Sequence, residues 1–180
     1  MTVAFAGCVS GNKEKVRAST PAEIPPIDAT NADIFSDIRT LENAIHEATN
    51  EFRTEEGYGP LEYNKNLAKI ARNHSRNMAK EGFFAHKDHK GRHSGERADY
   101  FGYPDAAISE NLFRAGIPEQ IESPDRIADR TIQGWESSPS HRAGMLTTAH
   151  IVEGIGGYIT AERDVFITAM YADVDGGIPS

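Results

Sequence analysis

Cysteine is nearly absent from this chain of 180 residues: there is one, Cys8. A single thiol closes no internal disulfide, so the fold rests on its core and its hydrogen bonds. Long apolar runs are missing too, and none approaches the roughly 20 residues that a membrane-spanning helix needs. Positive charge is in the minority, with 19 Lys and Arg against 27 Asp and Glu and a net charge of −8. No basic stretch is long enough to offset that for a nucleic-acid partner, whose phosphates call for a basic face.

Common enzyme signatures are also missing. There is no Gly-x-Ser-x-Gly, no Walker loop, no His-Glu-x-x-His and no Cys-x-x-Cys. Ser75 or Ser138 could be set beside a histidine, but nothing specifies such a triad. Gly154, Gly156 and Gly157 are not followed by a helix, so a dinucleotide reading fails. They point instead to a close backbone approach or a bulge.

Histidine, by contrast, is concentrated. Four of the seven lie in one stretch, His74, His86, His89 and His93. The chain around it divides by composition. Residues 1–8 hold a small-residue apolar run ending in Gly7-Cys8. That run reads as the remnant of a lipoprotein signal with Cys8 as the lipidated residue, or as a chance match, because the basic start and most of the apolar region are missing. Residues 9–32 carry Pro21, Pro25 and Pro26 among Ser, Thr, Lys and Glu, which reads as a flexible tether. Residues 33–176 read as one domain, and 177–180 as a tail.

Within the domain, Ile34, Ile38, Leu41, Ile45, Ala48 and Phe52 follow helical spacing from a cap at Asn31 or Asp33. Gly57, Gly59 and Pro60 end that helix. A second runs over about 64–81, with Leu67, Ile70, Ala71, His74 and Met78 on one face and Gly82 as its stop. His74 is expected to be a core residue satisfied by a backbone partner. Phe83 and Phe84 are expected to pack back on the core, so that His86 starts from an anchored position. His89 and His93 are expected in a solvated loop, although His86-x-x-His89-x-x-x-His93 has a spacing that could grip a metal. Residues 96–101 predict a short helix, and 108–114 a strand with Glu110 on the face of Ile108 and Leu112. Ser123-Pro124-Asp125 and Ser138-Pro139 each announce a helix. His141 falls in the first turn of the second, where the helix dipole disfavours an imidazolium. Strands over 150–159 and 165–172 form a hairpin.

Three polar sites far apart in sequence remain: His86, Glu110 and His141. Two neutral imidazoles and a carboxylate suit zinc or another divalent ion with one position open, and would equally line a polar cleft with no metal.

These residues carry a resemblance. Leu67-x-x-x-Ala71-x-x-His74-Ser75-x-x-Met78-Ala79-x-x-Gly82-x-Phe84-x-His86 is similar to the signature of the CAP superfamily (cysteine-rich secretory proteins, antigen 5 and pathogenesis-related 1). The match continues through Glu110-Asn111, Trp135-x-x-Ser138-Pro139-x-His141-Arg142-x-x-Met145-Leu146 and Gly154-Ile155-Gly156. It is nearest to microbial members without disulfides. The resemblance implies an α+β fold, an α-β-α sandwich with a small antiparallel sheet between helices. It implies a cleft lined by His86, His141 and Glu110, the same three serving as tentative metal ligands. Ser138 stands where many members carry a second glutamate. Arg97 is expected to pair with an acid and brace the cleft, and Asn111 to support the strand end. A secreted or surface-tethered binding module for a lipid-like or cell-envelope ligand is the first reading. A metal-dependent hydrolase acting through His86, Glu110 and His141, and a structural envelope protein, are the alternatives.

Overall fold

In a computed structural model the described residues are 22–23, 38–120 and 123–176. The signal remnant with Cys8, most of the tether and the tail lie outside them.

The hairpin is the centre of the fold. Strand β3 (Val152–Ile159) and strand β4 (Asp164–Ala172) pair antiparallel. Thr160 N donates to Asp164 O at 2.9 Å and Arg163, at φ 65°, closes the turn. Strand β2 (Ile108–Gly116) pairs antiparallel with β4, setting Glu110 beside Met170 and Asn111 beside Ala169. It runs two residues beyond the expected end. A two-residue strand β1 (Glu62–Tyr63) joins β3 in parallel, which makes the sheet mixed, in the order β1-β3-β4-β2. Alternation cannot reveal a strand of two residues.

Helices cover both faces. Helix α1 (Ile38–Glu55) buries Leu41, Ile45 and Phe52 on the first face. There it meets helix α4 (Pro124–Glu136) and Ile155, Ile159, Ile167 and Ala169 of the sheet. Any part of α1 before Ile38 lies outside the described residues. Helix α2 (Lys65–Glu81) and helix α3 (Ser94–Tyr100) cover the second face with Leu67, Ile70, Ala98 and Phe101, against Val152, Met170 and Ala172. The Asn64 side chain caps α2 by accepting from Asn66 N and Leu67 N, and Gly82 ends it in the left-handed region at φ 69°. The α-β-α sandwich is therefore as the residues and the resemblance imply.

The glycines of β3 set the spacing of the second layer. A Cβ on Gly154 would lie 2.2 Å from Ala68 N, and one on Gly156 1.9 Å from Arg72 N. Helix α2 thus rests on bare strand backbone: a close approach, not a bulge. Beyond the end of β1 the outer edge of β3 is open, and there Gly157 N donates to Glu42 Oε1 at 2.9 Å. Arg72 of α2 reaches the same buried carboxylate, with Nε 2.7 Å from Oε1. The pair ties the two helical layers together past the sheet edge.

One packing expectation holds only in part. Phe83 is half-buried, with its ring 5.9 Å from His74, and Phe84 is 46% exposed. The Phe84 ring still lies on buried Phe166, 6.5 Å between centroids, so it covers the rim of the cluster that Phe83 packs against.

Candidate functional site

The site forms along the edge strand β2, where the two layers meet. Consecutive strand residues face opposite ways. Glu110 therefore projects toward α3 and the loop that follows α2, while Asn111 projects toward helix α5 (Pro139–Met145).

Glu110 is held from two sides. Its Oε1 lies 2.9 Å from His86 Nδ1, and its Oε2 accepts from the Arg97 guanidinium of α3. The Arg97 and Glu110 side chains are each 2% exposed, so this is a buried ion pair with little water to screen it. Arg97 also donates to His86 O at 2.7 Å and to Arg92 O at 3.1 Å. It braces the whole loop as well as the acid. His86 is mostly exposed at its ring. The hydrogen bond from Glu110 raises its pKa above the usual histidine value, against the opposing effect of burial.

On the other side, Asn111 Nδ2 donates to His141 O at 2.9 Å and stands 3.4 Å from the Tyr171 hydroxyl. Its Oδ1 would be 2.8 Å from a Cβ on Gly144, so α5 seats against Asn111 because residue 144 has no side chain. Asn111 does not support the strand end; it fastens α5. Burial, and then the nearby His86, lowers the His141 pKa. The ring is neutral as the sequence predicts, but burial is the leading cause.

Ser138 caps α5 without a side-chain bond to the helix, and its hydroxyl lies 3.3 Å from the Ser140 hydroxyl. His86, Glu110 and Arg97 are thus in direct contact, and Asn111 fastens the backbone of His141, whose ring is held further toward neutral by the charge of His86. His89 and His93 are exposed, and the Glu96 carboxylate accepts from His93 N at 2.8 Å to start α3.

His86, Glu110 and His141 are not assembled as a three-ligand set. Glu110 is bonded to Arg97 and to His86 Nδ1, the arrangement in which a carboxylate orients an imidazole and leaves Nε2 as its ligating atom. Among the described residues no three His, Cys, Asp or Glu side chains converge as ligands. The expectation of two neutral imidazoles also changes at His86, which its acid partner holds toward the charged form.

Sequence reasoning gave no site role to two further residues. His74 is fully buried, and its Nε2 lies 3.0 Å from Ala85 O, beside His86. Its Nδ1 has no partner among the described residues, and burial pushes its pKa to about 4. The ring is therefore neutral and its Nε2–H is the donor. Asp88 accepts from Lys90 N at 2.8 Å, Arg92 N at 2.9 Å and Arg92 Nε at 2.8 Å. The Asp-x-x-Gly spacing of Asp88 and Gly91 is a turn signal that could have found it. A separate polar group lies on the α1 side. Glu153 is fully buried, its pKa is raised by burial, and its Oε1 is 2.5 Å from His46 Nδ1.

An α-β-α sandwich of this topology is the class of fold to which the comparisons point. The family model of the cysteine-rich secretory proteins, CAP, matches residues 46–171, and the chain belongs to that family. Among solved structures it is similar to an outer surface protein from Borrelia burgdorferi, at 17% identity and a TM-score of 0.64, covering 76% of this chain and 94% of that one. It is similar to an extracellular protein containing a SCP domain from Bacillus anthracis at 22% identity and a TM-score of 0.60, over 76% of this chain and 41% of that one. It is also similar to Schistosoma mansoni venom allergen-like protein 4, at 16% identity and a TM-score of 0.51, covering 76% and 89%. At such identities the likeness is one of fold, and the chain spans less than half of the Bacillus protein. A comparison with curated proteins finds no match.

Proposed function

We propose that this chain is an exported CAP-domain binding module whose cleft at His86, Glu110 and His141 receives a lipid-like or cell-envelope ligand. The observation that carries the reading is the state of Glu110. Each of its oxygens already carries a partner, His86 Nδ1 on one and the Arg97 guanidinium on the other, so the carboxylate's visible role is to hold the loop and orient the His86 ring. What such a site offers is orientation: one imidazole leaning toward charge, one neutral, and a braced wall. Export is supported by the Gly7-Cys8 run, with Cys8 as a lipid anchor, and by the surface or extracellular setting named for the Borrelia and Bacillus proteins. No helix among the described residues is long and apolar enough to cross a membrane.

The test is unbiased ligand recovery. Protein purified from its native surface is extracted and analysed by mass spectrometry beside the His86→Ala/His141→Ala variant. An amphiphile recovered with the wild type and missing from the variant supports the cleft. Turnover of a peptide, ester or glycan library by the wild type, abolished in the same variant, would replace this reading with a hydrolase.

A further inference from the structure

The loop between α2 and α3 has a charge pattern at odds with the rest of the molecule. Residues 82–93 contain Lys87, Lys90, Arg92 and three histidines, in a chain whose net charge is −8. The single acid in the loop, Asp88, is buried, and its carboxylate is turned inward onto Lys90 N, Arg92 N and the Arg92 guanidinium. Arg92 is further engaged over the Tyr100 ring, 3.9 Å from its centroid. The ammonium groups left facing solvent are those of Lys87 and Lys90, flanked by exposed His89 and His93. Phe84, three residues before Lys87, presents an aromatic ring that is 46% exposed. The acid in contact with the loop from outside it, Glu110, is buried against His86 and Arg97; the next in sequence, Glu81 and Glu96, stand on the flanking helices, and Glu96 is bonded to His93 N.

We infer that this loop docks the domain on a membrane surface bearing anionic phospholipid, with Lys87 and Lys90 at the phosphate headgroups and Phe84 in the interfacial layer. Charge complementarity and an adjacent exposed aromatic are the chemistry that such a surface selects. The loop is also held in shape before it meets a partner. His74 fixes Ala85 O, Arg97 fixes His86 O and Arg92 O, and Asp88 closes the turn at Gly91, where Gly91 N donates to Asp88 O at 2.8 Å. Little ordering entropy is then lost on contact. The inference goes beyond the cleft reading and does not rest on it. Ligand recovered by extraction reports on the cleft, and vesicle partition reports on the loop.

The full chain carrying Cys8→Ser, so that no acyl group contributes, is sedimented with vesicles of phosphatidylcholine and with vesicles of phosphatidylcholine and phosphatidylglycerol in equal parts. Binding is expected to the second and not to the first, and to weaken as salt rises. Lys87→Glu with Lys90→Glu lowers the partition about tenfold or more, and Phe84→Ser lowers it further. Because the two lysines are exposed, circular dichroism and the thermal midpoint of the lysine variants stay at wild-type values, and Lys87→Ala with Lys90→Ala gives an intermediate loss; Phe84→Ser, whose ring also touches Phe166, is compared at a temperature where circular dichroism shows it folded. Three results would overturn the inference: no binding to either vesicle or equal binding to both, a charge-reversed variant that binds like wild type, or complete release by millimolar inorganic phosphate at constant ionic strength. The last would assign the loop to free phosphate.

Discussion

Glu110 and Asn111 are neighbours in β2 and serve opposite layers: one carboxylate joins Arg97 and His86, and one amide holds the backbone of His141. Two adjacent residues on an edge strand therefore tie the α2–α3 loop and α5 to the same point of the sheet.

Removing the arginine tests the first half. Arg97→Met leaves Glu110 buried with only His86 beside it and frees two loop carbonyls. Loss of one partner of a buried pair costs about 3–5 kcal/mol. Urea unfolding should show it, and Arg97→Met combined with Glu110→Leu should recover part of that loss. A coupling below about 0.5 kcal/mol in the double-mutant cycle would mean that the two residues act independently.

The second half answers to Asn111. Asn111→Ala removes the side-chain donor to the His141 carbonyl, one hydrogen bond between β2 and α5, which costs about 0.5–1.5 kcal/mol. Amide exchange over 139–146 should quicken well before that of α1. Gly144→Ala, which thrusts a Cβ to 2.8 Å from Asn111 Oδ1, should be harmful alone and milder in the Asn111→Ala background. The same exchange experiment reads both variants.

Glycine substitution separates contact from conformation. Gly156→Ala drives a methyl into helix backbone at 1.9 Å and should cost about 3 kcal/mol or more, at the upper end of overpacking. Gly95 in α3 has open space where a Cβ would stand, with nothing within 4 Å. Gly95→Ala should be neutral or stabilise by about 0.5 kcal/mol. Thermal melts of the two side by side decide it.

Acid should loosen the fold through His74. Burial holds its folded pKa at about 4, against 6.5 in the unfolded chain, with the Arg97 charge adding to the effect. The unfolded state binds the proton first as pH falls, so the stability from the neutral ring is complete above 6.5. It is lost between there and the folded value, to a total of about 3 kcal/mol. In His74→Gln the unfolding free energy should vary less over that range. Equal slopes in the two proteins would show that another group carries the acid sensitivity.

Much of the fold is legible in the sequence because its signals are local. Asn64 and Gly82 bracket α2, Ser123-Pro124-Asp125 opens α4, and the β3–β4 hairpin follows from two runs of β-forming residues around a short polar turn. Strand β1 is not legible, since two residues carry no period. Phe84 packs less deeply than expected, half-exposed over Phe166, because periodicity ends with the helix at Gly82 and nothing local says which of two aromatics goes deeper. In the site, His86, Glu110 and His141 can be named from residue type and order. The engagement of both Glu110 oxygens cannot, because it depends on where α3 lays Arg97 across β2. The seat of Asn111 against Gly144 likewise exists only once α5 has docked.

The bare contact of α2 with Gly154 and Gly156 has a mechanical consequence. Packed helices shift by letting side chains slip from one set of grooves to the next. Here backbone lies on backbone, so α2 has no neighbouring groove to slip into and acts as a fixed rail for the loop that carries His86. Helix α5, across β2, has no such seat on bare strand: it is seven residues long and is fastened to the strand through the Asn111 side chain.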